Sequence, residues 1–533
     1  MNRKIAFTLA MLAILAFAAY YAFSCAEGVS TYGDDPNYTW LASALSKGIF
    51  KINPDYIFTL RPMSFIPIAI IYSIFGANLL TSTLWNIISY LGIIILAFIA
   101  GRFFYDDIAG LFAAIAIAMF PMLTKFAVNI GVDVPLTFVG SLSIMLFFFA
   151  TKNNKWHYYL ASGILLVATF FIDYEGGIIV AFVFLYALLM LFSKKLKINK
   201  ITIQFVYGIM LALLIAFILS DINIGQPFIL ITGNINFYSH VGVANSTLIT
   251  IPSANTNLYF YINEMFPYHL YNLFSENASF SSKLQQLYAN LFGSVNSNEA
   301  GIYFYILIPA IIFLLLFREK KAYLPIFWFA FSFFVLEFGP MSVLSLHPLE
   351  LHYLLAHRLM RFMMITSIPL GVILGIAFAK LVERKSKIFQ AIGIIFVTLL
   401  IAITFFNSLV ITSYWYYWIY YPTSIIGQAG SYLRSQSYSQ IFLENVLSVN
   451  YGAIMLPEYL GDPSTNKVDF SITNQTNCNT FTPGSYVIWS GPKKCSNWIN
   501  KLNITIPSSI PSYIKSIETP LLPYLPTNVY YVK

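Results

Sequence analysis

Charge is what this sequence has least of. Only 10% of its 533 residues are Asp, Glu, Lys or Arg, while 58% are hydrophobic and the mean hydropathy is +0.71. A soluble chain of this length cannot hide so much apolar surface, which leaves the polytopic membrane class. Also absent are a phosphate-cradling P-loop, a Gly-x-Gly-x-x-Gly turn opening a helix after a strand, and a His-Glu-x-x-His zinc motif. A soluble nucleotide therefore has no obvious entry as an energy source. The net charge of +8 could suggest nucleic acid, but the basic residues sit in short tracts between apolar segments. That pattern sets membrane orientation and gives no nucleic-acid partner.

What is present in abundance is apolar helix. Spans are expected near 5–23, 79–100, 109–127, 134–150, 157–172, 176–192, 202–220, 301–317, 322–338, 359–380 and 388–411, about eleven in all. With the N-terminus inside, the inner segments around 3–4, 102, 152–155, 194–200, 318–321 and 380–387 hold about sixteen of the 30 basic residues. Only Asp106, Asp107, Glu319 and Glu383 oppose them there, as the positive-inside rule requires. A cleaved signal peptide is the alternative for the first span, given Arg3-Lys4, an apolar run and Ser24-Cys25-Ala26.

The outer side then receives three large pieces: loop 24–78, loop 221–300 and tail 412–533. Pro62 to Phe75 in the first loop is short and carries Pro67, so it reads as an interfacial or re-entrant helix. Sequons at Asn37, Asn245, Asn277, Asn474 and Asn503 all fall on this side, although Asn37 lies too close to an acidic pair to expect a glycan. The domain division is thus 1–411, a transmembrane bundle, and 412–533, an extracytoplasmic domain that opens on the aromatic belt Tyr414 to Trp418. Turn residues and short runs such as Tyr486 to Trp489 predict a small α/β or mostly β fold there. Cys478 and Cys495 are expected to pair in the oxidising exterior, with two free thiols as the alternative; Cys25 has no obvious partner.

The chain has few acids, 22 in 533 residues, so an adjacent pair of them calls for an explanation. Asp34 and Asp35 stand side by side just beyond the first span. One carboxylate within reach of an acceptor group can take its proton, and two together can raise one pKa or hold a divalent cation, Mg or Mn. A solvated turn before Pro36 is the plain alternative. Asp133 opens the fourth span in Gly131-Val132-Asp133-Val134-Pro135, where it either caps the helix or serves a substrate or cation. Arg358 and Arg361 lie three apart at the outer start of the tenth span, with His357 beside them. On one helix face they suit a lipid phosphate, or they snorkel to the interface. Glu350 and His352 precede them and could pair with them or help hold a metal. Arg61 either meets Asp55 or an active-site acid, or anchors the Pro62 helix. Asp173-Tyr174-Glu175-Gly176-Gly177 could line a cavity but reads better as a plain tight turn.

Three stretches in order resemble one known group. Asp34-Asp35-Pro36-Asn37-Tyr38 with Leu41-Ala42, Arg61-Pro62 running to Phe75-Gly76, and Gly131 to Leu136 are similar to motifs of the C-type (GT-C) membrane glycosyltransferases that use polyprenyl-phosphate sugars. Within that group the protein O-mannosyltransferases and the aminoarabinose transferases of lipid A look nearest. The resemblance covers residues 1–200 and continues beyond them only as architecture. It implies an all-α polytopic bundle with a GT-C-like first outer loop. It also implies that Asp34 is the catalytic base, that Asp35 and Asp133 orient the acceptor or a cation, and that Arg358 and Arg361 hold the carrier phosphate. Two departures stand out: Asp35 replaces a common Glu, and Asp173 and Glu175 occupy a turn where many members carry a basic residue. The Trp-Trp-Asp-Tyr-Gly signature of oligosaccharyltransferases is missing, which argues against transfer of a whole glycan to asparagine.

The expectation is therefore an inverting hexosyltransferase of the plasma or endoplasmic-reticulum membrane, with an extracytoplasmic site. It would move a sugar from a polyprenyl (dolichyl) phosphate to a protein, lipid or glycan. A flippase of lipid-linked sugars or a noncatalytic membrane subunit are the alternatives. The flippase would need paired broken spans around a midplane site, a symmetry the sequence lacks.

Overall fold

The computed structural model describes residues 3–25, 35–196, 199–234, 303–346, 349–355, 360–383, 405, most of 390–402, and 427–444, 467–472, 477–490, 493–504 and 527–533. Its helices are α1 (Arg3–Cys25), α2 (Asp35–Ser46), α3 (Pro62–Phe75), α4 (Leu79–Phe104), α5 (Asp107–Ala118), α6 (Pro121–Ala127) and α7 (Asp133–Asn153). They continue with α8 (Trp156–Phe170), α9 (Gly176–Phe192), α10 (Ile203–Ile224), α11 (Tyr303–Leu316), α12 (Tyr323–Phe338) and α13 (Ser367–Val382).

Each expected apolar stretch carries helix, but the helices differ in length from the expected spans. Among the described residues six are long and apolar enough to cross a membrane, or seven if a bent pair counts as one span. The chain is a multi-pass membrane protein, and the figure of about eleven is not reached by length and composition. The expected span 109–127 is that bent pair, α5 and α6, which meet at 59°. Pro121 sits at the start of α6, where its missing N–H costs nothing, and it cannot continue α5. Two neighbours satisfy carbonyls at the interrupted end of α5. The Tyr90 hydroxyl donates to the Ala118 carbonyl at 2.6 Å, and the Tyr303 hydroxyl to the Ala116 carbonyl at 2.5 Å. A break inside an apolar bundle persists only with such partners.

Helices approach closely where side chains vanish. A Cβ on Gly163 of α8 would lie 2.2 Å from the Phe205 carbonyl, and one on Gly208 of α10 2.2 Å from the Leu160 carbonyl. The two helices therefore cross backbone to backbone through reciprocal glycines. Between α7 and α8, Ser143 and Ser162 each donate to the other's carbonyl at 2.9 Å. The expected helix 62–75 is present as α3, 14 residues long and thus too short to span.

After α12 the chain forms an antiparallel hairpin, β1 (Pro340–Leu346) and β2 (Leu349–Leu355), before a 3-10 turn at Met360–Thr366 leads into α13. The expected α-helix over 359–380 therefore starts later than its hydropathy suggested. The C-terminal region forms a five-stranded mixed sheet in the order β4-β3-β5-β7-β6. Its strands are β3 (Ile441–Glu444), β4 (Val468–Ile472), β5 (Tyr486–Ser490), β6 (Trp498–Ile504) and β7 (Thr527–Val532), and helix at 427–434 precedes them. Cys478 and Cys495 form a disulfide beside Phe442, Phe481, Trp489 and Trp498. The loop 235–302, with Asn245 and Asn277, lies outside the described residues, as do Asn474 and the aromatic belt 414–418.

Candidate active site

The first loop is fastened to the turn between α8 and α9. The Met63 amide donates to the Phe171 carbonyl at 3.2 Å, and the Ser64 hydroxyl to the Ile172 carbonyl at 2.9 Å. These contacts bring Arg61, just before Pro62, over that turn. Its Nη1 lies 2.9 Å from Asp173 Oδ2 and donates to the Tyr38 hydroxyl of α2 at 3.1 Å. All three residues are buried. Asp173 also accepts from the Tyr174 amide at 2.6 Å, which shapes the turn. Gly176 is required next: a Cβ there would sit 2.6 Å from the Thr169 carbonyl. Arg61 thus meets an acid, but the acid is Asp173; Asp55 is exposed. Residues 173–177 do form the expected tight turn, with the Gly176 amide donating to the Asp173 carbonyl at 3.0 Å, and both of its acids are buried.

A second ion pair comes from distant parts of the chain. Arg361, in the 3-10 turn before α13, places Nε 3.6 Å from Asp133 Oδ2 in the first turn of α7. Asp133 is not the N-cap; that position falls to Val132, and no side chain caps α7. The Asn86 amide of α4 holds the preceding link by donating to the Gly131 carbonyl at 3.0 Å.

Glu175 joins the two pairs. Its carboxyl is buried, and neither oxygen has a hydrogen-bond partner. Burial holds its pKa well above the ordinary 4.5, and the charges of Asp173 and Asp133 push the same way. Arg361 and Arg61 act against them. All four charged groups are therefore close enough to act on this one carboxyl. The two arginines balance the two aspartates, and burial favours the uncharged form of Glu175 among them.

Of the other expected site residues, Asp34, His357 and Arg358 lie outside the described residues. Asp35 is the first residue of α2, one helical turn before Tyr38, whose hydroxyl binds Arg61. Glu350 and His352 fall on β2. The Asn37 side chain accepts from the Tyr56 hydroxyl, and Thr39 is buried. A sequon held in a helix this way is a poor glycan acceptor. Among the described residues no group of three or more His, Cys, Asp or Glu is arranged to hold a metal ion, and Asp133 faces an arginine.

Two buried charges were missed in the sequence. Lys125 of α6 lies 4.7 Å from the Phe126 ring centre, and α6 packs against the turn bearing Arg361. Its signal was a lone lysine at the end of an apolar segment away from the basic tracts. Glu337, near the end of α12, is fully buried as well.

Residues 60–219 match the family model described as dolichyl-phosphate-mannose-protein mannosyltransferase. No curated protein matches the chain significantly in sequence. Among solved structures, ArnT from Cupriavidus metallidurans, bound to undecaprenyl phosphate, is similar with a TM-score of 0.50 at 11% identity, over 97% of each chain. An oligosaccharyltransferase from Archaeoglobus fulgidus, tethered to an acceptor peptide containing the NVT sequon, gives 0.50 at 12% identity, over 90% of this chain and 69% of that one. At such identities the likeness is one of fold. With the family match it agrees with the sequence motifs: the chain resembles the C-type membrane glycosyltransferases.

Proposed function

We propose that this chain transfers a glycosyl group from a polyprenyl phosphate to an acceptor on the outer face of the membrane, with inversion at the anomeric carbon. The observation that carries this reading is the buried cluster of Arg61, Asp173, Arg361, Asp133 and Glu175 at one end of an apolar bundle. Buried charge is costly, and in membrane proteins it marks substrate sites. The family match over 60–219 begins just before Arg61 and ends beyond Glu175, so it spans four of the five residues.

In this reading Asp34, next to Asp35 at the start of α2, takes the proton of an acceptor hydroxyl or amide. The acceptor atom then bonds to the anomeric carbon from the face opposite the phosphate. The anomeric C–O bond breaks, and its electron pair leaves on the phosphate oxygen. Arg61 and Arg361 stabilise that charge. A guanidinium carries five donors, so an aspartate that takes one or two orients it without exhausting it. Asp173 and Asp133 are then positioning residues. His357 and Arg358 are assigned to the same phosphate by their place in the sequence, and Asp35 and Asp133 to orientation of the acceptor.

The test is a mass shift on candidate peptide, lipid and glycan acceptors after incubation with defined polyprenyl-phosphate hexoses, with and without a chelator. Asp34→Asn should lower transfer by about 10²-fold or more while the thermal midpoint in detergent holds. Transfer by the variant at the wild-type rate would remove Asp34 from the mechanism. A wild-type chain inert toward every polyprenyl-phosphate sugar would remove the proposal.

A further inference from the structure

Glu175 has no role in the mechanism above, yet it is buried in the site. Both carboxyl oxygens are buried without a hydrogen-bond partner. Leaving such a group unsatisfied costs the free energy of its lost hydration. Leucine or glutamine at the same place would avoid some or all of that cost. The arginines beside it already have aspartates. A third acid is therefore not needed to balance charge, and its position calls for a partner that arrives from outside.

From the geometry we infer that Glu175 is the specificity-determining residue for the donor, the group that reads one hydroxyl of the transferred sugar. This rests on the proposed transfer reaction. The placement supports it: Glu175 lies two residues beyond Asp173, whose Oδ2 stands 2.9 Å from Nη1 of Arg61, one of the groups assigned to the phosphate. In a polyprenyl-phosphate sugar the glycosyl ring is bonded directly to that phosphate, so its hydroxyls lie one ring away from the guanidiniums. A carboxylic acid presents one O–H donor and a carbonyl acceptor side by side. A sugar hydroxyl can accept from the first and donate to the second. A site built around a buried polar group rejects an analogue lacking the matching hydroxyl far more strongly than an apolar pocket rejects a missing methylene.

The test compares full-length wild-type protein, Glu175→Leu and Glu175→Gln in detergent. Each is assayed with the accepted polyprenyl-phosphate hexose and with its monodeoxy analogues at ring positions 2, 3, 4 and 6. Wild type should reject one analogue by about 10²-fold or more in kcat/KM, against small losses for the others. Glu175→Leu should treat that analogue and the parent within about threefold, so that the two losses are not additive at that position alone. Glu175→Gln, which keeps a donor and an acceptor, should preserve most of the discrimination. The thermal midpoint separates this role from a structural one: Glu175→Leu should hold or raise it, because the carboxyl has no partner to lose. Additive losses at all four positions, or a lowered midpoint with every donor impaired alike, overturn the inference. Absence of wild-type transfer from any polyprenyl-phosphate hexose instead overturns the reaction on which it rests.

Discussion

The two ends of the bundle hold similar numbers of ion pairs but treat them differently. At the end reached by Phe104, Asn153 and Val382, Arg102 pairs with Asp107 at 2.9 Å, with side chains 63% and 33% exposed. There too Lys380 pairs with Glu319, and the Tyr105 hydroxyl donates to Glu383 at 3.5 Å. At the other end, one length of α7 away (about 30 Å for its 21 residues), Arg61 and Asp173 are 8% and 6% exposed. Exposed pairs contribute little, because water competes for both partners. Buried pairs cost more to desolvate than they return unless geometry or function holds them. One end is thus an anchor that would serve equally well with other polar residues. The other is a site whose charges have been kept at a cost.

Four substitutions break or sharpen that contrast. Arg61→Met should have the largest effect: it strands Asp173 in an apolar surround and should cost about 3–5 kcal/mol, read as a fall in the thermal midpoint in detergent. If it proves neutral, the buried end is no different from the exposed one. Arg361→Lys should come next. Arg361 is 24% exposed, so stability should fall by about 1 kcal/mol or less, while transfer falls at least tenfold through loss of the planar fork. Equal losses in stability and transfer would make Arg361 structural.

Glu175→Gln should act through pH. Because burial raises the folded-state pKa above 4.5, the folded protein holds a proton that the unfolded chain has released. Stability of the wild type should therefore fall as pH rises from 4.5 toward the folded value, then level off. The glutamine variant lacks that slope, so its advantage in thermal midpoint should grow with pH across that window. Parallel pH profiles would show that Glu175 is ionised in the fold. Arg102→Ala should change stability least, by roughly 1 kcal/mol or less, and only at low salt. A larger loss would mean that the exposed end is also a working site.

How much of this was legible in the sequence follows from the same contrast. Hydropathy marks where helices are, because apolar length is a local property; Gly176–Phe192 matches its expected bounds residue for residue. It does not mark breaks, so α5 and α6 read as one span until Pro121 is weighed. Arg61, Asp133 and Arg361 stood out because each is a charge beside an apolar run. Asp173 and Glu175 were visible but assigned to a turn, since nothing local says that Arg61 will lie across them. The pairing depends on the start of α3 docking against the turn after α8, which only tertiary structure supplies. The resemblance to the C-type glycosyltransferases agrees with the family match over 60–219, but it would have put a base where this chain has acids.

The fastening of α3 has a consequence for traffic. Its start is held to the chain between α8 and α9 by a backbone amide, a serine hydroxyl and a buried guanidinium. Swinging that segment aside would break all three at once. It is a doorpost rather than a door, and entry of the proposed lipid donor must hinge on some other stretch of the polypeptide.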